Sequence, residues 1–156
     1  MNNASCSAWL LSVTETMRVA IGEFEMLHII LGRQRFFAIP RTPDHCRSVF
    51  IWQGQILPVF DLSVYLRTEK TDADSVIRTE RYTCIVNYRD PADSVQHGAL
   101  LLYDLPVRIT VSDDQMCELP DNNKKLRTIS NSCFQDPGHG PVPVLNLARI
   151  FGCLMP

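Results

Sequence analysis

The stretch Pro58-Val59-Phe60-Asp61-Leu62-Ser63-Val64-Tyr65-Leu66-Arg67 decides how this chain is read. It returns in altered form as Pro143-Val144-Leu145-Asn146-Leu147-Ala148-Arg149-Ile150-Phe151-Gly152. In each copy an apolar strand ends at an Asx residue able to cap a helix, Asp61 or Asn146. Apolar side chains then follow at i, i+3 and i+4, as Leu62, Tyr65 and Leu66 in one copy and Leu147, Ile150 and Phe151 in the other. That spacing gives one adhesive helical face per copy. The shared order of strand, cap and amphipathic turn predicts two halves built on one plan, with Pro58, Val59, Asp61, Leu62, Pro143, Val144, Asn146 and Leu147 as structural residues.

Around these two anchors the chain reads as mainly β. Short apolar runs alternate with turn chemistry, predicting strands near Trp9–Val13, Met17–Ile21, Phe24–Leu31, Arg47–Trp52 and Gln55–Phe60. Thr14-Glu15-Thr16 suits a hairpin, and Gln53-Gly54 a tight turn. Residues 67–81 mix charges of both signs without periodicity and read as an exposed connection. Beyond it, strands are expected at Tyr82–Tyr88, Gly98–Tyr103 and Val107–Val111, with a turn at Asp90-Pro91-Ala92-Asp93. Pro106 fits the start of a strand or an edge. A polar loop at Asp121–Lys125, a short strand near Leu126–Ile129 and a loop through Asp136-Pro137-Gly138 lead to the second copy. The division is therefore about 8–66 for one subdomain and 82–152 for the other. Units of this size are marginal alone, so they are expected to share a core within one domain spanning the chain.

Composition excludes several functions. The 156 residues are 46% hydrophobic and 21% charged, a globular balance. A net charge of −2 and a pI near 6.0 give no general attraction for nucleic acid or anionic lipid. Apolar runs such as Leu27–Leu31 fall far short of the roughly 20 residues that span a bilayer. The start of the chain has no basic region, and a cytoplasmic location is expected. The six cysteines are dispersed, with no C-x-x-C pair, and read mostly as small buried hydrophobes rather than disulfide partners.

Catalytic signals are weak. Cys46 beside His45 is the nearest approach to an activated nucleophile, but adjacent residues in an extended segment point to opposite faces. The four histidines are scattered, so no metal site is expected, and neither a dinucleotide loop nor a phosphate cradle is present, so no cofactor is expected. The pairs Asp72/Asp74 and Asp113/Asp114 read as solvated loops.

The region upstream of the first anchor is more specific. Thr42-Pro43-Asp44-His45-Cys46-Arg47-Ser48-Val49-Phe50-Ile51-Trp52-Gln53-Gly54, closed by Pro58-Val59-Phe60-Asp61-Leu62, resembles the CheW-like domain of bacterial chemosensory adaptors. Val19-Ala20-Ile21 with Glu25-Met26-Leu27, the strand Gly98–Tyr103 and Val144-Leu145-Asn146-Leu147 extend the likeness over about residues 17–152. The resemblance implies two SH3-like five-stranded β-barrels around a joint core, with short helices. It also implies a non-catalytic coupler between methyl-accepting chemoreceptors and a CheA-type histidine kinase, with no enzyme activity. Tryptophan ahead of Gln-Gly is similar to members serving type IV pilus, or twitching, systems.

Where the family carries arginine this chain has Gln53, its common glycine is Ser48, and the aspartate of the final motif is Asn146. Glutamine lacks both the permanent charge and the five-donor fork of arginine. A Glu25–Gln53 hydrogen bond is the replacement expected for a carboxylate–arginine pair. By residue-level carry-over the partner surface is expected at Glu25, Trp52, Gln53 and Gly54, with Phe50 and Ile56 lining it. Trp52 is read either as a lid over the core or as an exposed anchor. Two alternatives stand beside the adaptor: a small enzyme using Cys46 and His45, and a degenerate SH3-like module that competes with a functional adaptor.

Overall fold

The computed structural model describes residues 4–32, 34–67, 82–121 and 123–153, so residues 68–81 of the expected connection lie outside the described residues. The first repeat supplies β1 (Ser5–Ser12), β2 (Arg18–Gly22), β3 (Met26–Ile30), β4 (Phe37–Ala38), β5 (Ser48–Trp52), β6 (Gln55–Phe60) and helix α1 (Leu62–Tyr65). The second supplies β7 (Tyr82–Arg89), β8 (Val95–Leu102), β9 (Val107–Ser112), β10 (Met116–Cys117), helix α2 (Lys124–Thr128), β11 (Ser130–Asp136), β12 (Gly140–Leu145) and helix α3 (Leu147–Cys153).

Local chemistry fixes the turns. Between β1 and β2 the Val13 amide donates to the Met17 carbonyl, while the Thr14 hydroxyl oxygen accepts from the Thr16 and Met17 amides. Between β5 and β6, Gln53 and Gly54 both take positive φ, 48° and 76°, the primed-turn pattern that matches the twist of a hairpin. Asp90 Oδ1 accepts from the Ala92 and Ser94 amides and so closes the β7–β8 turn.

The two anchors fold as the repeat predicts. Asp61 Oδ1 accepts from the Val64 amide at 3.3 Å, and Asn146 Oδ1 from the Arg149 amide at 3.2 Å. The cap residues themselves are held in the same way, since the Asp61 amide donates to the His45 carbonyl and the Asn146 amide to the Ile129 carbonyl, each at 2.7 Å.

Sheet order makes the duplication explicit and corrects the expected division of the chain. One sheet runs β10-β11-β12-β2-β1-β9 and the other, read from its opposite end, β4-β5-β6-β8-β7-β3. Each strand of one sheet is replaced in the other by its counterpart from the other repeat. The parallel junctions correspond too, β12 with β2 and β6 with β8, while the remaining pairs are antiparallel. The lobes are thus not residues 8–66 and 82–152, because each repeat lends its first hairpin, β1–β2 or β7–β8, to the other's sheet. Counting the two-residue strands β4 and β10, each sheet has six strands where five were implied.

Burial explains the exchange. In β1, β2, β7 and β8 neighbouring residues are apolar on both faces, so these hairpins need cover on both sides. Ala8, Leu10, Ala20, Val111, Phe134 and Val142 fill one lobe, and Phe50, Leu57, Val59, Ile85 and Ala99 fill the other. Leu11, Val19, Ile21, Cys84, Val86, Leu100 and Leu102 face the opposite way, into a joint core with Phe60, Leu62, Leu145, Leu147, Ile150 and Phe151. Each Val, Leu, Ile or Phe side chain buried in full contributes about 1.5–3 kcal/mol. The exchanged hairpins therefore tie the lobes together through a third core.

Helix α3 is seated on β8 through Phe151, whose ring stacks on Tyr88 at 5.2 Å and meets Phe60 edge-on at 6.2 Å. Gly98 makes room for it, because a Cβ there would lie 2.5 Å from the Phe151 ring. Two expectations fail locally. Leu126–Ile129 is not a strand: Asn123 Oδ1 accepts from the Leu126 amide at 3.1 Å and starts α2 instead. Ser130–Asp136, expected as part of a loop, is strand β11, whose buried residues include Cys133 and Phe134. No described helix is long and apolar enough to cross a membrane.

Candidate functional site

The β5–β6 hairpin carries most of the residues expected to meet a partner, and strand alternation sorts them onto two faces. Phe50 and Trp52 point into the lobe with Leu57 and Val59. Val49 and Ile51 point outward, opposite Pro58 and Ile56 respectively. Phe37 on β4 sits opposite Val49 and joins the outward face. The result is a row Phe37–Val49–Pro58 beside a pair Ile51–Ile56, next to the Gln53-Gly54 tip. Ile56 is 71% exposed and Ile51 53%, and the Arg35 guanidinium lies 5.1 Å from the centre of the half-exposed Phe37 ring.

Phe50 is corrected by this geometry. It is only 6% exposed and meets Phe36 edge-on at 5.9 Å, so it is a core residue and no partner contact. Trp52 is half-buried and acts as the lid rather than a free anchor. Its ring lies between His28, 6.3 Å away, and His97, 6.1 Å away, and His97 Nδ1 is 3.2 Å from Gln55 Oε1. Gln53, Gly54 and Ile56 remain at the surface.

Glu25 does not reach Gln53. Its Oε1 accepts the Gly22 amide at 2.8 Å and closes the 3-10 turn Glu23–Glu25 ahead of β3, while Gln53 stands exposed at the hairpin tip. Burial pushes the Glu25 carboxyl above its ordinary range, with the Gly22 amide working in the other direction. The turn also displays Phe24, 86% exposed, while its backbone oxygen accepts from the Asn87 amide group.

Sequence reasoning missed Ile51 and Phe37. Alternation along Ser48–Trp52 carries the signal for Ile51, since a strand that buries Phe50 and Trp52 must turn Ile51 outward. Phe37 required the β4–β5 register, which the letters do not contain.

The nucleophile alternative fares badly. Cys46 is fully buried, and desolvation pushes its thiol up, whereas a nucleophile needs a thiolate at neutral pH. The His45 ring packs against Phe60 and Tyr65 at 5.1 and 5.0 Å. Among the described residues no group of three or more His, Cys, Asp or Glu is placed to hold a metal ion.

A family model described as CheW-like domain matches residues 14–153. Among solved structures, the crystal structure of the scaffolding protein TtCheW from Thermoanaerobacter tengcongensis matches with a TM-score of 0.72. The match covers 96% of this chain and 90% of that one at 14% identity, a likeness of fold. No curated protein matches the sequence.

Proposed function

Since the chain belongs to the CheW-like domain family, we propose that it is a non-catalytic chemosensory adaptor that couples methyl-accepting chemoreceptors to a CheA-type histidine kinase in the cytoplasm. Its output is chemotaxis or, by the Trp52-Gln53-Gly54 likeness, type IV pilus movement. The observation that carries the reading is the exposed pair Ile51–Ile56 on a hairpin whose other face is locked in the lobe core. Paired aliphatic side chains held open to water by a rigid strand pair suit a partner that covers them.

The mechanism is geometric. Exchanged hairpins and a joint core fix one lobe relative to the other, so surfaces on the two lobes keep a constant separation and angle. One surface takes the kinase's own related β domain, and another takes the helical tip of a receptor, whose apolar anchors would recur at i, i+3, i+4 and i+7. The protein adds contacts and no chemical step.

Gln53 favours a second reading, that of an adaptor-like competitor which occupies a partner without supporting signalling, because the tip lacks the charge its relatives place there. Pull-down of the receptor and kinase fragments from the same host separates the two. An adaptor retains both partners at once, and Ile56→Asp weakens retention while the far-ultraviolet spectrum stays unchanged. A competitor retains one partner and excludes the other. Failure to retain either partner would refute both.

A further inference from the structure

Most of the six cysteines read as small buried hydrophobes, yet Cys117 and Cys133 are direct cross-strand partners of β10 and β11. The Cys117 thiol donates to Cys133 Sγ at 3.3 Å. We propose that this pair is a redox modification site, a dithiol that takes up a small-molecule disulfide such as oxidised glutathione and closes to an intramolecular Cys117–Cys133 bond.

Three features of the fold suit that chemistry. Accessibility is graded, since Cys117 is half-exposed and Cys133 fully buried, so one thiol meets the reagent and the other resolves. Position allows movement, because β10 is a two-residue strand at the edge of its sheet with one ladder neighbour. Facing residues of a ladder have Cβ atoms about 4.5–5.5 Å apart. A disulfide asks for about 3.5–4.5 Å, so an inward shift of the edge by about 1 Å suffices. Three other cysteines are placed differently: Cys6 is exposed, while Cys46 and Cys84 are buried in the joint core, Cys84 against Met26 Sδ.

The reaction has two exchanges. Cys117 thiolate attacks the reagent disulfide, forms a protein–glutathione disulfide and releases one glutathione thiol. Cys133 then loses its proton and attacks Cys117 Sγ, expelling the second glutathione thiol. The protein dithiol gives up two electrons and two protons, and the reagent disulfide takes up both. Burial, reinforced by the neighbouring Cys117, pushes the Cys133 thiol up to about 12. The second step is therefore slow at neutral pH and quickens as pH rises.

The bond would enclose the segment that carries α2. That segment reaches the first repeat through Asn123 Nδ2, which donates to the Leu66 carbonyl at 3.4 Å, and through the Lys125 ammonium, 5.5 Å from the Tyr65 ring centre. Oxidation thus tethers the edge of one lobe to the contact between the lobes' helices.

The test treats the reduced full-length protein with oxidised glutathione at mildly alkaline pH, followed by intact mass and peptide mapping. The expected product has lost two hydrogens, maps to Cys117 linked to Cys133, and melts at a higher temperature than the reduced form. Cys117→Ser abolishes that product, and Cys133→Ser halts the reaction at a glutathione adduct on Cys117. The peptide map of the unaltered protein decides the matter should either variant fail to fold. The proposal is overturned if Cys117 and Cys133 stay free while Cys6 is modified, if each ends as a separate adduct, or if the linkage joins another pair.

Discussion

Replacing Gly98 by alanine tests the packing of α3 on the joint core, and its sign separates two opposed effects. Gly98 lies inside β8, where alanine is backbone-compatible, and the loss of freedom in the unfolded chain would by itself stabilise the protein by about 0.4–1 kcal/mol. Against this, the added methyl would sit 2.5 Å from two ring carbons of Phe151 and 2.9 Å from a third. That ring cannot swing aside easily, being stacked on Tyr88 and edge-on to Phe60. Overpacking of this kind costs about 1–3 kcal/mol, and the confinement by two aromatic rings places the expected net loss near the upper half of that range. At about 2–4 °C per kcal/mol for a chain of this size, a net loss of about 2 kcal/mol lowers the melting temperature by about 4–8 °C. Urea unfolding followed by fluorescence measures the loss. In the double variant Gly98→Ala with Phe151→Leu, the costs should sum to less than the two single losses, since the smaller side chain relieves the clash. A Gly98→Ala protein as stable as the original, or strictly additive single losses, would refute this account of how α3 is seated.

Asn146→Ala should lower stability by about 1 kcal/mol through loss of the α3 cap, whereas Asn146→Asp, which keeps an oxygen for the Arg149 amide, should stay close to the original in the same urea titration. Glu25 supplies a pH-dependent prediction. A carboxyl whose pKa is raised on folding binds its proton more tightly in the native state, so its ionised form costs stability at neutral pH, and the cost fades as pH falls through the carboxyl range. Glu25→Gln retains an acceptor for the Gly22 amide. It should be at least as stable as the original at about pH 7 and lose that advantage towards about pH 4, as followed by urea midpoints across that range.

What the letters disclosed was local. Asp61 and Asn146 declare their helices because a cap and its apolar turn lie within a few residues of each other, and Gln53-Gly54 declares a hairpin for the same reason. The exchange of β1–β2 and β7–β8 between sheets rests on pairings such as Val144 with Ala20 and Val59 with Ala99, which no local pattern encodes. Strand β11 stayed hidden because Ser130, Asn131, Ser132 and Gln135 dilute the apolar residues that it buries. The Asn123 cap that makes 124–128 a helix lies inside a run of polar residues that reads as a loop, next to the strand-like run Leu126–Ile129. In the candidate site, chain order named the tip but placed Phe50 on the wrong face, and its neighbour Ile51 holds the exposed position.

The central claim is that the chain physically joins two signalling proteins. Co-sedimentation of the CheA-type kinase with receptor-bearing membranes measures this directly, with the chain present, absent, or carrying Ile56→Asp. Kinase should enter the pellet only when the unaltered chain is added, and Ile56→Asp should lower that recruitment at least several-fold. Recruitment of the kinase to the same extent without the chain, or no recruitment with it, would contradict the adaptor account.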